Sequence, residues 1–263
     1  MSANLQRYKL TVAYDGLEFH GWQKQKPPEP VQKDGDCADA EELRTVAGVL
    51  EEALRHVLRH PVDVIGASRT DAGVHAKGQV AHVDADLRFD LDKAPLAFNS
   101  RLSDDLEVRN VEPVPHDFDA IRWAKRKQYC YRIFHSPHRP LQIRHAVWHC
   151  WKDLNVDRMQ DAASRLVGTH DFAGFAAAKH GRLSTVRSIF EFLIEQHPPE
   201  IHLIVEGNGF LYNMVRIIAG TLVEVGRGRF EPGVIDQIFD SCDRSQAGPT
   251  LPARGLCLEW VRY

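Results

Sequence analysis

The sequence is poor in the features that mark secreted, metal-binding and membrane-spanning proteins. Its 263 residues include only five cysteines, which are scattered and never form a CxxC pair. An odd, dispersed set argues against a disulfide framework and against a thiolate zinc site. No apolar run approaches the roughly 18 residues of a membrane helix, and the N-terminus lacks the apolar core of a signal peptide. We therefore expect a cytoplasmic protein with no membrane association.

Histidine is plentiful, but its arrangement does not indicate a metal site. The chain has 14 histidines, of which His145 and His149 stand four residues apart. That spacing suits a helix, yet the surrounding sequence HAVWHCW is typical of a strand, which places the pair on one face without a neighbouring carboxylate. The glycines of EGNGFLYN lack the lysine and the serine or threonine of a Walker phosphate loop. We predict neither a metal ligand set nor such a loop.

Length and composition indicate a folded protein with two lobes. Hydrophobic residues make up 43% of the chain and charged residues 26%, close to the average of soluble domains. A chain of 263 residues forms one large domain or two lobes of about 130 residues each. We predict two lobes that share one sheet, residues 1–115 and residues 116–263. Residues 26–40 carry three prolines and little apolar content, which predicts a flexible acidic surface insertion.

The hydrophobic pattern predicts strands and helices in irregular succession. Alternating apolar residues in RYKLTVAYDG predict a strand, and apolar residues at helical spacing predict a helix within residues 41–60. VDVIGAS and GQVAHVDAD predict two strands joined by a bend over residues 69–75. Further strands are predicted in LEVRNVEPV, RKQYCYRIFHS, HAVWHCW, a hairpin across Pro198 and Pro199, and GLCLEWVRY, with helices in LDKAPLAFNSRL, VDRMQDAASRLVG, FLYNMVRIIAGTLVEVG and GVIDQIFDS. Without regular βαβ alternation, this order predicts an α+β fold with a largely antiparallel central sheet flanked by helices.

Charge is distributed unevenly, although the net charge is only −3. From Ala120 to Lys152 the sequence has no acidic residue, and aromatic residues are interleaved with basic ones. The basic residues of this run include Arg122, Lys125, Arg126, Lys127, Arg132, Arg139 and Arg144. A solvated strand face explains such a run as well as a ligand site does. Basic groups beside aromatic faces are also what the recognition of single-stranded or looped RNA requires.

The predicted bend places an arginine and an aspartate two residues apart among small residues. In ASRTDAGVHA, residues 67–76, alanine and glycine neighbours cannot shield Arg69 and Asp71. In isolation, such a pair would be a surface salt bridge worth at most about 1 kcal/mol. Because the bend is built from small residues, it would equally let a nucleotide approach the backbone closely.

The bend resembles the catalytic loop of the TruA-type tRNA pseudouridine synthases. Ser68 departs from that family, which usually has glycine there, and so does the long insertion at residues 26–40. Segments similar to other motifs of the family cover nearly the whole chain in the family's order: YDGLEFHGWQKQ, KQYCYRIF, HDFAGF, VRSI, GNGFLYNMVRIIAGTLVEVGRG and ARGLCLEWVRY. Neither departure touches Asp71.

The resemblance implies an enzyme that isomerises uridine to pseudouridine in the tRNA anticodon arm, typically at positions 38, 39 and 40. It also implies a two-lobed body with a central active-site cleft, a homodimer with tRNA across both subunits, and neither cofactor nor metal. On the matching positions, Asp71 is the nucleophile, whether it attacks the sugar C1′ or acts through an elimination. Tyr129 stacks on the substrate base, and Arg216 faces the aspartate. Arg69 favours the ionised carboxylate and fills the space that a flipped base leaves.

Several assignments stay open at this stage. Strand alternation does not decide between Tyr129 and Tyr131, whereas the resemblance gives the core position to Tyr131. His75 either donates to the substrate or supports the loop. The candidate phosphate contacts are Lys125, Arg126 and Lys127. Rival functions are a non-catalytic RNA-binding protein, a hydrolase that uses Asp71 as a base, and a related synthase for a different uridine or a different RNA.

Overall fold

The computed structural model describes residues 5–25, 43–177 and 184–263. In this part of the chain, ten strands and five α-helices form an α+β fold, and the strands join in one mostly antiparallel sheet. The predicted fold class and sheet type are confirmed. The predicted insertion at residues 26–40 lies outside the described residues.

Every strand and helix predicted within the described residues has a counterpart, and β7 was not predicted. The strands are β1 (Gln6–Tyr14), β2 (Ile65–Gly66), β3 (His75–Ala85), β4 (Leu106–Pro113), β5 (Arg126–His135), β6 (Trp148–Cys150), β7 (Gly168–Asp171), β8 (Val186–His197), β9 (Glu200–Gly207) and β10 (Leu256–Arg262). The α-helices are α1 (Val46–Leu58), α2 (Ala94–Asn99), α3 (Val156–Ser164), α4 (Met214–Gly226) and α5 (Val234–Ser241). Among the described helices, none has the length and apolar character to cross a membrane.

The first compact unit comprises the described parts of Met1–Gly73 and Gln79–Arg122. Its strands lie in the order β4, β1, β3, and β2 pairs antiparallel with β3. Helix α1 buries Leu50, Leu54 and Leu58, whose spacing of four residues keeps them on one face. The bend between β2 and β3, which carries Asp71, is therefore attached to the sheet of this unit.

The second compact unit comprises Val74–Gly78 and the described parts of Trp123–Tyr263. Here β5 pairs antiparallel with both β10 and β9, and β8 continues the antiparallel order beyond β9. The first residues of β3 belong to this unit, where His75 pairs in parallel with Cys257 of β10. Helix α4 is buried along almost its whole length, so its few polar residues stand in an apolar setting.

Two element boundaries differ from the sequence pattern for local reasons. Helix α1 begins at Val46 because Thr45 caps it, and the Thr45 hydroxyl accepts a hydrogen bond from the Gly48 N–H at 3.3 Å. Helix α4 begins at Met214 because Asn213 has a φ of 61°, a left-handed conformation that interrupts regular helix geometry. Both boundaries depend on one residue at the helix start.

The prediction of a strand throughout HAVWHCW is wrong. Only Trp148–Cys150 forms a strand, which pairs in parallel with the end of β5. His145 lies in the preceding turn, so His145 and His149 do not share a strand face. Strand β6 pairs with Ile133, Phe134 and His135, which follow the residues of β5 that pair with β10.

Candidate active site

Asp71 lies in the bend that connects β2 to β3, and the side chains around it alternate in burial. Ser68 and Thr70 are buried, Arg69 is exposed, and Asp71 is half-buried. The side chains of Arg69 and Asp71 are thus accessible, while those of Ser68 and Thr70 pack inside the unit. This placement between two strands is as predicted.

Ser68 is held by the side chain of Gln79, a fully buried residue of β3. The Ser68 N–H donates to Gln79 Oε1 at 3.2 Å, and Gln79 Nε2 donates to the Ser68 carbonyl at 2.7 Å. One carboxamide therefore satisfies both backbone groups of Ser68. Ser68 is not among the residues with positive φ, so its conformation does not require the glycine usual in the family.

The segment Phe19–Trp22 holds the bend on both sides of Asp71. The Trp22 N–H donates to the carbonyl of Thr70 at 3.1 Å, and the Gly73 N–H donates to the carbonyl of Phe19 at 3.2 Å. Gly21 has a φ of 90° and approaches so closely that an added Cβ would lie 2.6 Å from the Thr70 oxygen. The backbone before and after Asp71 is thereby fixed.

The hydroxyl of Thr70 lies 2.7 Å from the hydroxyl of Tyr14, and either can donate. Both side chains are buried. Tyr14 ends β1, and its ring packs against Phe19 and Trp22 at centroid distances of 6.2 Å. Sequence reasoning missed this contact, although both residues stand inside the motifs that carry the resemblance.

In the second unit, Tyr129 and Tyr131 occupy different environments on β5. Tyr131 is fully buried, its hydroxyl donates to the Pro252 carbonyl at 2.8 Å, and burial raises the pKa of its phenol. Tyr129 is 6% exposed and meets Phe210 edge to face at 5.1 Å. The expected core role of Tyr131 is confirmed.

The guanidinium of Arg216 is oriented by two contacts at the start of α4. Its Nε donates to the Leu251 carbonyl and its Nη1 donates to Asn213 Oδ1, each at 2.7 Å. The left-handed Asn213 is thus both the residue before the helix and an acceptor for this arginine. Sequence reasoning singled out Arg216 but missed Asn213 and Leu251. A positive-φ asparagine before a helix has no distinct sequence signature.

His75, at the start of β3, faces main-chain acceptors in the second unit. Its Nε2 lies 2.9 Å from the His145 carbonyl and 3.2 Å from the Arg254 carbonyl. Because both partners accept, this nitrogen carries the proton. Within the described ranges, no group of three or more His, Cys, Asp or Glu side chains is placed to hold a metal ion.

The basic run divides into exposed and engaged residues. Arg132 makes two hydrogen bonds to Glu200, at 2.8 and 2.9 Å, and is half-buried. Arg126 is exposed, donates to Glu206 at 2.7 Å and lies over the Phe190 ring at 4.7 Å. Lys125 is exposed and Lys127 is half-buried. The positive charge of the run is therefore partly neutralised by carboxylates of β9.

The structure has an α+β fold, and comparison with known proteins identifies the family to which the chain belongs. The family model described as tRNA pseudouridine synthase matches residues 10–121 and 162–263. The chain belongs to the tRNA pseudouridine synthase family, whose members are isomerases.

Proteins named tRNA pseudouridine synthase A resemble this chain over nearly its full length. The protein from Ruminiclostridium cellulolyticum is 43% identical, and the match covers 98% of this chain and 100% of the relative. The protein from Thermoanaerobacter pseudethanolicus is 41% identical over 97% of this chain and 98% of the relative. The protein from Brevibacillus brevis is 40% identical over 98% of this chain and 100% of the relative.

Proposed function

We propose that this protein isomerises uridine to pseudouridine in the anticodon stem-loop of tRNA, at positions 38, 39 and 40. The observation that carries the proposal is the family membership together with Asp71, which stands in a bend whose backbone is fixed on both sides. The reaction breaks the bond between N1 and C1′ and joins C5 to C1′. The C5 proton is lost and N1 gains a proton, so the formula is unchanged and the reaction consumes no oxidant or energy source.

The carboxylate of Asp71 is the proposed nucleophile. A covalent intermediate divides one difficult step into two easier ones, and it keeps the sugar attached while the uracil turns. A fixed backbone on both sides of Asp71 supports this role, since a nucleophile must stand within reach of its target atom. A target uridine must first leave its stack, at a cost of a few kcal/mol.

Three further side chains have proposed roles on the same uridine. Arg69 occupies the space that the flipped base leaves, and its exposure is compatible with contact to RNA. Tyr129 stacks on the uracil and accepts the C5 proton in the last step. Arg216 stabilises the negative charge of Asp71, and its orientation by Leu251 and Asn213 supports a fixed position.

Binding of tRNA is assigned to the basic run of the second unit. Lys125 and Arg126 are exposed, which supports contact with phosphates. Lys127 is a third proposed phosphate contact. His75 is proposed to contact the substrate with the part of its ring other than Nε2. Its Nε2 donates to the His145 carbonyl. We further propose that the protein acts in the cytoplasm as a homodimer, with each tRNA lying across both subunits.

The deciding experiment maps pseudouridine in tRNA before and after incubation with the pure protein. The wild type should modify positions 38, 39 and 40, and Asp71→Asn should bind tRNA with wild-type affinity but form no pseudouridine. Asp63→Asn, which alters an exposed aspartate of the same unit, is the matched control and should remain active.

The other outcomes distinguish the rival functions. Binding without any modification by the wild type favours a non-catalytic RNA-binding protein. Release of free uracil indicates a hydrolase. Pseudouridine at other positions indicates a synthase with a different target, and substantial turnover by Asp71→Asn removes Asp71 from the mechanism.

A further inference from the structure

Thr70 stands between the exposed Arg69 and the half-buried Asp71, yet its own side chain is only 7% exposed. Its hydroxyl lies 2.7 Å from the hydroxyl of Tyr14, a residue 56 positions earlier in the sequence. Tyr14 is only 5% exposed. A hydrogen bond between two buried hydroxyls has a strict geometry, because neither group can turn to water instead.

The tyrosine is a firm support for this bond. Tyr14 lies in β1 opposite Leu106 of β4, so its backbone is part of the sheet. Its ring packs against Phe19 and Trp22, the two residues whose backbones hold the bend on either side of Asp71. Strand pairing and ring packing therefore hold the Tyr14 hydroxyl in a fixed position beside Thr70.

The contacts at Thr70 act on different features of the bend. The hydrogen bond from the Trp22 N–H to the Thr70 carbonyl fixes where the backbone passes. The side-chain bond to Tyr14 holds the Oγ1 atom of Thr70, and so restrains the orientation of the residue directly before Asp71. A misplacement of about 1 Å at a reacting group costs up to about 100-fold in rate.

We propose that Tyr14 and Thr70 are positioning residues for Asp71: their hydroxyl pair sets the direction in which the carboxylate meets the substrate. The inference rests on the proposed function of Asp71 as the nucleophile. Neither hydroxyl touches the substrate in this role. Their loss acts on the rate of the chemical step and leaves tRNA binding intact.

The test uses four variants of the full chain, three single variants and the double variant Tyr14→Phe/Thr70→Val, together with one matched control. Thr70→Val removes the hydroxyl at nearly constant shape, Tyr14→Phe removes the partner hydroxyl and keeps the ring, and Thr70→Ser restores a hydroxyl. Thr45→Val removes another buried threonine hydroxyl in the same unit, at the cap of α1. Single-turnover rate constants and tRNA affinities are measured for each, with circular dichroism and thermal unfolding to determine the folded fraction.

We expect Thr70→Val and Tyr14→Phe each to lower the single-turnover rate constant about 10- to 100-fold, with tRNA affinity changed less than about twofold. The double variant should be no slower than the slower single variant, because both remove the same bond. Thr70→Ser should stay within about threefold of the wild type. Thr45→Val should unfold at a lower temperature but react at the wild-type rate.

The positioning role is overturned if folded Thr70→Val and Tyr14→Phe react at the wild-type rate, if their losses multiply in the double variant, or if Thr45→Val slows the reaction equally. A wild-type protein that forms no pseudouridine in tRNA overturns the proposed function, and this inference with it. An active wild type with fully active variants overturns the positioning role alone.

Discussion

An added Cβ at Gly21 would lie 2.6 Å from the carbonyl oxygen of Thr70, and Gly21 has a φ of 90°. Glycine is thus required here for two independent reasons, backbone conformation and space. The clash would be with backbone, which cannot move aside as a flexible side chain does. Any side chain at this position must displace the bend that carries Asp71.

Gly21→Ala should therefore reduce activity, and Gly228→Ala should not. Gly228 has a φ of 72°, but nothing lies within 4 Å of an added Cβ there. Both variants carry the conformational cost of a positive φ, about 1 kcal/mol. Only Gly21→Ala should lower the single-turnover rate constant, by about tenfold or more. Equal rate constants for the two folded variants would contradict a link between Gly21 and Asp71.

Substitutions of Tyr129 separate base stacking from proton transfer. If the phenol removes the C5 proton, Tyr129→Phe should be nearly as inactive as Tyr129→Leu, and rearranged but unreleased product should accumulate on the enzyme. Phe210→Leu serves as the control, since it alters the ring contact with Tyr129 and keeps the hydroxyl. Steady-state rates of the variants at saturating tRNA, measured with a trap for the enzyme-bound intermediate, distinguish stacking from proton transfer. A fully active Tyr129→Phe rules out the acid–base role and leaves stacking alone.

Salt dependence tests the basic run. Despite a net charge of −3, tRNA affinity should fall steeply with salt, because binding releases counterions from the phosphates. Lys125→Ala should reduce the slope of log affinity against log salt by about one. Arg126→Ala should reduce it less, because Glu206 already offsets this charge. Arg132→Gln should leave the slope unchanged, since Arg132 is bound to Glu200. An unchanged slope for Lys125→Ala would place the RNA on a different surface.

Acid stability should depend on the pair formed by Arg7 and Asp84. The hydrogen bond from Arg7 holds the pKa of Asp84 below its ordinary value. Its stabilisation is then fully present above the unfolded pKa of about 3.9 and is lost as the pH falls through the lower folded pKa. Because Asp84 is partly exposed, we expect Asp84→Asn to cost at most about 1 kcal/mol at pH 7 and less at pH 3. Denaturant unfolding at pH 7 and at pH 3 measures the loss of unfolding free energy in Asp84→Asn. An equal loss at both pH values would contradict a stabilising role for the ionised Asp84 beside Arg7.

Most of the fold follows from periodicity that the sequence carries locally. The apolar spacing of α1 and the alternation in β1 and β5 predict those elements. The strand β7 escapes prediction because its four residues are mostly polar and gain strand geometry only by pairing with β8. His145 lies in the turn before β6, which pairs with the last three residues of β5, and the apolar pattern of HAVWHCW does not show where that pairing begins.

The bend that carries Asp71 was predictable, and its supports were not. Two predicted strands on either side of a segment of small residues indicate a bend between them. The contact between Tyr14 and Thr70 spans 56 positions, and the Gly21 approach to Thr70 spans nearly as many. No local pattern encodes such distances. Gln79 is the one amide side chain of β3 and stands next to Val80 and Ala81, but its partner depends on how β3 returns beside β2.

The carboxamide of Gln79 pairs with both backbone groups of Ser68, as a neighbouring strand would. The amide hydrogen of Ser68 should accordingly exchange with deuterium as slowly as amides of the adjoining ladder, although Ser68 lies outside every strand. A glutamate at position 79 would accept but could not donate when ionised. Replacing a single nitrogen with oxygen in Gln79→Glu would thus set the carboxylate against the Ser68 carbonyl and make the exchange protection of this bend depend on acidity.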